Sequence, residues 1–533
     1  MNIKNTIIIM VLLLMACNPQ EVKFPAIIPK PDNIQTMNGQ FNFKDCETIC
    51  YQSEEAAESA EFLKLLLGQY GLDYKIEKKD CKKDKGINLV ISDEASADKN
   101  SHIISVGKKS IEIKASSVSD LKYGIQTINQ LALFSKENGF IIPCVKITDK
   151  PRFQYRGMHL DVSRHYMPVD FIKKYIDNLS FLKFNYFHWH LVDDQGWRIE
   201  IKKYPDLTRI GSVRKETVIG HLSTKPNKYD GVPYGNYYTQ EEIKDIIEYA
   251  AFRNITIIPE IEIPGHSQAA IASYPFLGCT GKKIEVMTRW GISPNIYNLE
   301  DTTFKFLFNV FDEVASLFPG KFIHIGGDEA IKDQWRASSR INNQMKELGI
   351  EDYEELQSYF INKIADHLAK KGKQIIGWDE IIEGNIRSDA IVMHWRAWVD
   401  ENIALKAAKR GHQVILTPTS RYYFDYYQSE DMENEPLAIG GYIPLDSVYL
   451  CDPVPEDFDT VYMDKILGGQ ANVWTEYMPT PEQVEYMVFP RILALSEVLW
   501  TAKDKRDFSD FLSRLREFEL YFKEFNINYA KHY

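Results

Sequence analysis

From Pro151 onward the chain alternates short apolar runs with amphipathic stretches, and no other feature limits its possible folds as strongly. Apolar runs of this length read as buried strands, and strands separated by helical patterns imply βαβ units and a parallel sheet. The candidate strands are "YRGMHLDV", "FNYFHWHLVD", "ITIIPEIEI", "KFIHIGGDE", "QIIGWDE", "AIVMHW", "QVILTP" and "ILGGQANVW". Candidate helices between them include "VDFIKKYIDNLSFLK", "TQEEIKDIIEYAAFRN", "TFKFLFNVFDEVASLF", "YEELQSYFINKIADHLAKKG" and "ENIALKAAKRG". Eight strands with helical connections predict an α/β fold, a closed (β/α)8 TIM barrel over residues 151–500. An open doubly wound sheet is the alternative. No Gly-rich dinucleotide fingerprint follows the first strand, which counts against it.

The flanks read differently. Residues 18–150 suggest a smaller α+β domain, with helical patterns in "AAESAEFLKLLLGQYG" and "DLKYGIQTINQLALF" and strands in "INLVIS" and "HIISVGKKSIEIKAS". No cluster that carries chemistry appears there, so a supporting role is expected. Residues 501–533 contain "DFSDFLSRLREFELYFKEF", a helical segment expected to pack on the barrel.

The first residues, "MNIKNTIIIMVLLLMAC", place a lysine before an apolar run too short to span a bilayer. Leu14-Met15-Ala16-Cys17 resembles a bacterial lipobox, so residues 1–17 are expected to be a lipoprotein-type signal ending at a lipidated Cys17. The expected location is the bacterial envelope, periplasmic or at the cell surface, with lipid as the only membrane anchor. Export permits disulfides, but the six cysteines beyond Cys17 are sparse and their pairing cannot be read from spacing. A net charge of −12 argues against a general nucleic-acid binder. The run "KKDCKKDKG" reads as a solvated loop.

In a barrel of this type the active residues sit where strands end and loops begin. The first strand runs into Asp161, Ser163 and Arg164, and the second into Asp193 and Asp194. Pro264, Gly265 and His266 follow the third, and Asp328 and Glu329 the fourth. Trp378, Asp379 and Glu380 end the fifth, and His394 and Trp395 the sixth. The last two lead to Tyr422, Tyr423 and Asp425, and to Trp474 and Glu476. Polar groups and indoles thus recur at one inferred end, as a binding cup requires.

Three chemistries compete. His188 and His190 in "HWH" share a strand face, but the sequence offers no matching third and fourth metal ligands. Ser163 lies near His165 without an elbow-type turn, so a serine triad is not supported. Acids among indoles suit glycoside chemistry: carboxylates and an arginine hold hydroxyls, and one acid protonates the leaving oxygen.

The order of motifs then becomes specific. "RGMHLDVSRHYMPVDFIKKYIDNLSFLKFNYFHWHLVDDQGWRIEIKKYPDLT", "PEIEIPGHSQA", "HIGGDEA", "IIGWDE", "VMHWR" and "GGQANVWTEY" resemble, in matching order, the catalytic barrel of the family 20 β-N-acetylhexosaminidases. The resemblance covers roughly residues 151–500, and the α+β domain before it suits the family's layout. It implies an exo-acting retaining hydrolase that releases terminal β-linked N-acetylglucosamine or N-acetylgalactosamine from glycans. Family members use substrate-assisted catalysis, in which the acetamido oxygen attacks the anomeric carbon and an oxazolinium-type intermediate forms. No cofactor and no metal are expected.

The resemblance also implies roles. Glu329 resembles the general acid, and Asp328 the residue that holds the acetamido N–H. Arg164 resembles the arginine that grips sugar hydroxyls, while Asp193 and His266 resemble a pair that buttresses the acid. Trp378, Trp395 and Trp474 resemble the walls around the acetamido methyl and sugar face. Tyr423 resembles the tyrosine that bonds the acetamido oxygen, with Tyr422 leaving the register open by one. Asp425 and Glu476 resemble hydroxyl ligands. Adjacent acids cannot easily flank a bond from both faces, since neighbouring Cα atoms lie about 3.8 Å apart. A nucleophile supplied by the substrate removes that need.

The loop "STKPNKYDGVPYGNYYTQ" stays open: its tyrosines either contact the leaving group or stabilise the loop. Two other functions share these motifs, a glycan-binding lipoprotein without turnover and a relative that releases a disaccharide or a sulfated amino sugar. The preference between N-acetylglucosamine and N-acetylgalactosamine, the natural glycan and the oligomeric state are not legible.

Overall fold

The computed structural model describes residues 24–81, 85–92, 100–399 and 402–533. The signal-like segment with Cys17 and residues 82–84 of the lysine-rich run lie outside the described residues.

The N-terminal part is a seven-stranded mixed sheet. Its strands are β1 (Asn33–Asn42), β2 (Thr48–Tyr51), β3 (Lys75–Lys78), β4 (Gly86–Ile91), β5 (His102–Val106), β6 (Ile111–Ala115) and β7 (Ile141–Asp149), in the order β1-β7-β5-β6-β4-β2-β3. Helices Ala57–Gly68 and Val118–Ser135 pack on it. Ser117 caps the second by accepting from the Asp120 N–H at 3.1 Å. Cys50 and Cys81 are disulfide-bonded, while Cys46, Cys144, Cys279 and Cys451 are free thiols. This sheet is docked on the barrel by buried polar contacts. Asp149 at the end of β7 pairs with Lys183 at 2.7 Å and accepts from Trp500 Nε1 at 2.8 Å. Such a pair holds the two units in register because either charge left alone would be buried without a partner.

The barrel is closed and parallel: β8 (Tyr155–Asp161), β9 (Tyr186–His190), β10 (Thr256–Ile263), β11 (Phe322–Gly326), β12 (Gln374–Trp378), β13 (Ile391–His394), β14 (Val414–Leu416) and β15 (Ile466–Ala471), with β15 pairing β8. Helices Val169–Phe181, Gln240–Phe252, Asp301–Leu317, Tyr353–Ala369 and Ile403–Lys409 form connections. The β12–β13 connection departs from the rhythm and holds only the 3-10 turn Asp379–Ile382. The expected second strand is shorter than its apolar run. It ends at His190, and Val192–Asp193 form a small ribbon with Gly196–Trp197.

Inward positions follow the two-residue period of the strands. Tyr155, Ile258, Ile376, Ile391, Met393 and Ile415 make an apolar lower layer, with Tyr155 stacked on Tyr186 at 4.5 Å. Above it lies a buried polar layer of His159, His188, His190, Glu260, His324 and Gln470. The strand ends sit above that.

The C-terminal segment forms two helices, Phe508–Glu517 and Glu519–Glu524. Tyr521 stacks on Phe181 at 4.2 Å, and Arg514 bonds both Glu497 at 2.7 Å and the Ile27 carbonyl at 2.8 Å. The segment therefore ties the barrel to the start of the described chain.

Candidate active site

The turn after β11 is built by its glycines. Gly326 and Gly327 have φ of +64° and +97°, which residues with a side chain seldom adopt. A Cβ on Gly326 would run into the Glu262 carboxyl, and one on Gly327 would meet Ile381. Asp328 and Glu329 therefore leave the strand on a path no bulkier pair would allow. Glu329 itself has φ of +46°, as does His266 after β10. Left-handed backbone at residues other than glycine costs on the order of 1–3 kcal/mol each and recurs at functional sites. The two acids end up differently exposed: the Asp328 side chain is 12% exposed and that of Glu329 34%.

The two acids share a buried partner. His266 Nε2 lies 3.5 Å from Glu329 Oε2 and 3.6 Å from Asp328 Oδ2, while its Nδ1 lies 3.1 Å from Asp193 Oδ1. Burial would lower the His266 pKa, but Asp193 and Asp328 reverse that and leave it well above the ordinary value. Burial pushes Asp328 up to about 6, with His266 opposing and Glu329 adding to the rise. Asp193 has the opposite fate: although buried, it is held well below the usual range by Arg164 and His266.

Arg164 is fixed on several sides. It bonds Asp193 at 2.8 Å, Asp161 at 3.2 Å and the Gln195 side-chain Oε1 at 2.8 Å, and it lies 3.8 Å from Glu476. Its guanidinium lies 5.2 Å from the Trp474 ring centroid. Asp161 also accepts from the Ser163 and Arg164 N–H groups at 2.8 and 3.2 Å, which folds the chain back over β8.

Indoles close the other side. Trp378 and Trp474 have centroids 5.9 Å apart, and Trp395 lies parallel to Tyr423 at 6.1 Å. Trp378 Nε1 donates to Glu260 at 2.9 Å and Trp395 Nε1 to Glu380 at 3.0 Å, so each indole is held by its polar edge. The one-residue ambiguity falls to geometry: Tyr423 lines the cavity, whereas Tyr422 is fully buried with its hydroxyl toward the Cys451 carbonyl at 3.4 Å. Burial raises the Asp425 carboxyl well above its usual range, with Glu476 adding; burial also raises Glu476, against Arg164. A protonated carboxyl both donates and accepts, which suits sugar hydroxyls.

All eleven site residues expected from the sequence line one cavity of about 280 Å3, small for a ligand site and sized for a single ring. Thr419, Tyr426, Ile439 and Trp398 also line it and were not anticipated. Nor was the floor beneath it. Glu260 bonds His190 Nδ1 at 2.6 Å and accepts from Trp378 Nε1 at 2.9 Å, and its carboxylate lies 2.7 Å from His324 Nδ1 and 3.0 Å from His188 Nε2. Glu260 and Asp193 outweigh burial and raise the His190 pKa to about 10, so His190 is an imidazolium between two carboxylates. The further partners that "HWH" lacks in sequence are thus supplied from other strands. They meet His188 and His190 as a buried cluster around Glu260. The alternating acids of "PEIEI" were the available signal that this strand points carboxylates inward.

The site therefore presents one accessible acid, one buried acid among indoles, and an arginine with two further carboxyls opposite. The model of the family described as glycosyl hydrolase family 20, catalytic domain, matches residues 153–503, and that of its domain 2 matches residues 24–150. The chain belongs to glycosyl hydrolase family 20. Among its family 20 relatives, a beta-hexosaminidase of Porphyromonas gingivalis is 41% identical over 95% of this chain. The chain spans 65% of that relative's length. A beta-hexosaminidase of Vibrio furnissii is 36% identical over 88% of this chain and 76% of its own. Of solved structures, the Vibrio harveyi exo beta-N-acetylglucosaminidase in complex with N-acetylglucosamine has a TM-score of 0.82 at 33% identity, covering 95% of this chain and 78% of that one. The beta-N-acetylhexosaminidase of Bacteroides fragilis has a TM-score of 0.80 at 31% identity, covering 95% and 97%.

Proposed function

We propose that the protein is an exo-acting, retaining β-N-acetylhexosaminidase that removes terminal β-linked N-acetylglucosamine or N-acetylgalactosamine. The observation that carries this reading is the meeting of Asp328 and Glu329 in one indole-lined cavity, Asp328 the more buried and Glu329 the more exposed.

In the first step the acetamido oxygen of the substrate attacks its own anomeric carbon. The bond to the leaving oxygen breaks, and Glu329 gives that oxygen its proton. Asp328 accepts from the acetamido N–H and opposes the charge that develops on the ring being formed. Tyr423 meets the acetamido oxygen, and Trp378, Trp395 and Trp474 shield the group from water. In the second step Glu329 takes a proton from water as the water attacks the anomeric carbon and the acetamide is restored. Two inversions give retention. Arg164, Asp425 and Glu476 hold the hydroxyls at the far end, with His266 and Asp193 positioning Glu329.

A thiazoline analogue of the cyclic intermediate is expected to inhibit competitively and to bind far more tightly than the released sugar. Its inability to inhibit at saturating concentration would remove the substrate-assisted route. A panel of defined β-linked glycans, with products read by mass, tests the exo reading: only a terminal N-acetylhexosamine should appear.

The pKa of Asp328 adds a pH dependence. Only its carboxylate accepts the N–H bond, so kcat/KM is expected to fall as pH drops through about 6. A pH profile of kcat/KM checks this, and an acid limb that persists unchanged in Asp328→Asn would contradict the assignment.

We further propose export with lipid attachment at Cys17. The apolar run before Leu14-Met15-Ala16-Cys17 supports it, as does the Cys50–Cys81 disulfide, a bond suited to an oxidising compartment. Cys17→Ser is expected to abolish labelling by a fatty-acid probe in cells; labelling that survives places the lipid elsewhere.

A further inference from the structure

The mechanism leaves one buried charge without a task. Glu260 lies beneath the sugar cavity, fully buried, and takes no part in its wall. A buried carboxylate is costly unless it is paired, and an apolar side chain of similar volume often serves stability as well. Its presence therefore calls for a use.

Its two oxygens lead to different parts of the site. Oε2 lies 2.6 Å from His190 Nδ1, and His190 Nε2 lies 3.0 Å from Asp193 Oδ2. Asp193 Oδ1 lies 3.1 Å from His266 Nδ1, and His266 Nε2 lies 3.5 Å from Glu329 Oε2. Carboxyls and imidazoles thus alternate from the barrel floor to the general acid, and every member below Glu329 is buried. The other oxygen, Oε1, accepts from Trp378 Nε1 at 2.9 Å.

Rigid elements carry these groups. His190 ends β9, Glu260 lies within β10 and Trp378 ends β12. His188 Nε2 and His324 Nδ1 lie 3.0 and 2.7 Å from the same carboxyl, and Glu262 lies 3.9 Å from His190. With both oxygens engaged, the carboxyl cannot turn toward one partner without leaving the other. Arg164 also pairs with Asp193 at 2.8 Å, so Asp193 keeps a cation when His190 is altered.

We propose that Glu260 is a positioning residue for both halves of the reaction. Through His190 and Asp193 it aligns His266 behind Glu329, and through the Trp378 indole it fixes a wall of the acetamido pocket. The inference rests on the hexosaminidase reading. Proton transfer needs the acid within hydrogen-bond reach of the leaving oxygen, and ring closure needs the acetamido group held against the anomeric carbon.

The test compares kcat on di-N-acetylchitobiose, whose leaving sugar needs a proton, with kcat on a dinitrophenyl β-N-acetylglucosaminide, whose leaving group does not. The inhibition constant of the thiazoline reads the acetamido pocket separately. Glu260→Met keeps the length of the side chain and removes both bonds. It is expected to lower kcat on the disaccharide about 10- to 100-fold, the scale of a group misplaced by about 1 Å, and to lower it much less on the dinitrophenyl glycoside. The thiazoline should bind about tenfold more weakly, the size of one lost hydrogen bond. His190→Gln cannot bridge two carboxyls, so it should show the disaccharide loss without the thiazoline change. Glu260→Gln should recover most of both, since its carbonyl accepts from Trp378 and its amide donates to a neutral His190. If Glu260→Met does not fold, Glu260→Asp takes its place, because a carboxyl one methylene shorter cannot span both partners.

An equal loss on both substrates, or none, overturns the link to the acid, as a merely structural cluster would lower the melting temperature without changing the dependence on leaving group. An unchanged thiazoline constant overturns the link through Trp378. Failure of the unmodified protein to cleave even the dinitrophenyl glycoside would instead fault the hexosaminidase reading.

Discussion

Glu329→Gln is expected to lower kcat on a β-linked N-acetylglucosamine disaccharide by about 10^2–10^4-fold, the range typical of a lost general acid. The sugar leaving group is a poor one, so the C–O bond breaks slowly unless the oxygen receives a proton as it departs. Glutamine fills the same space at a φ of +46° and cannot give one. KM should change little, because Glu329 touches the leaving oxygen and not the ring hydroxyls. An aryl glycoside with a leaving group of low pKa should lose less, since its departure needs no proton. Steady-state kinetics on both substrates reads the difference. Turnover of the disaccharide at the unmodified rate would end the assignment.

Asp328→Asn is expected to lower kcat by about 10^2–10^3-fold, the usual cost of removing one group that stabilises transition-state charge. It should also make the fold more stable at neutral pH. The folded pKa of about 6 lies above the unfolded value of about 3.9. Burial thus penalises the carboxylate in the folded state. Stability is fully present below pH about 4 and is lost as pH rises through about 6, by roughly 2–3 kcal/mol at neutral pH. Asparagine removes that loss. Asp328 Oδ1 has no hydrogen-bond partner within the protein, so the substitution breaks none there. Thermal melts at pH 4 and pH 7 should show a gain for the variant only at pH 7. An unchanged kcat would reject the catalytic role, and a melting temperature lowered at pH 7 would reject the energetic one.

A gain in stability with a loss of activity is the mark of a residue kept for its chemistry. The same holds for Glu329 and His266, whose left-handed backbone the fold tolerates in order to bring two acids to one imidazole.

Much of this site lies close to the surface of the sequence. Strand ends are local events, marked by the change from apolar runs to Asp, Glu, His and Trp. A barrel then gathers all strand ends of one sense onto one face. Arg164, Asp193, Asp328, Trp378, Trp395, Trp474 and Glu476 are legible for that reason. The two glycines before Asp328 are legible as punctuation, though not as room made for Glu262.

What escaped depends on contacts between distant segments. The floor around Glu260 joins residues of β8, β9, β10, β11 and β15, and each of its histidines alone reads as an ordinary inward side chain. Trp398 and Ile439 sit in connections with no periodic pattern, and only the folded barrel brings them to the cavity wall. Cys50 meets Cys81, which precedes β4, because Asn88 of β4 stands opposite Cys50 and accepts from the Cys81 N–H, in a sheet whose order no spacing reveals.

The chain's own order of residues thus determined the barrel, its eight strand ends and the kind of chemistry they hold, because periodicity and turn signals act over a few residues. Only the tertiary structure decided that Asp328 is the more buried of the two acids and Glu329 the more exposed, and that Tyr423 rather than Tyr422 lines the cavity. Side-chain direction at a strand end depends on backbone angles set by what packs behind it, and those packing partners lie far away along the chain.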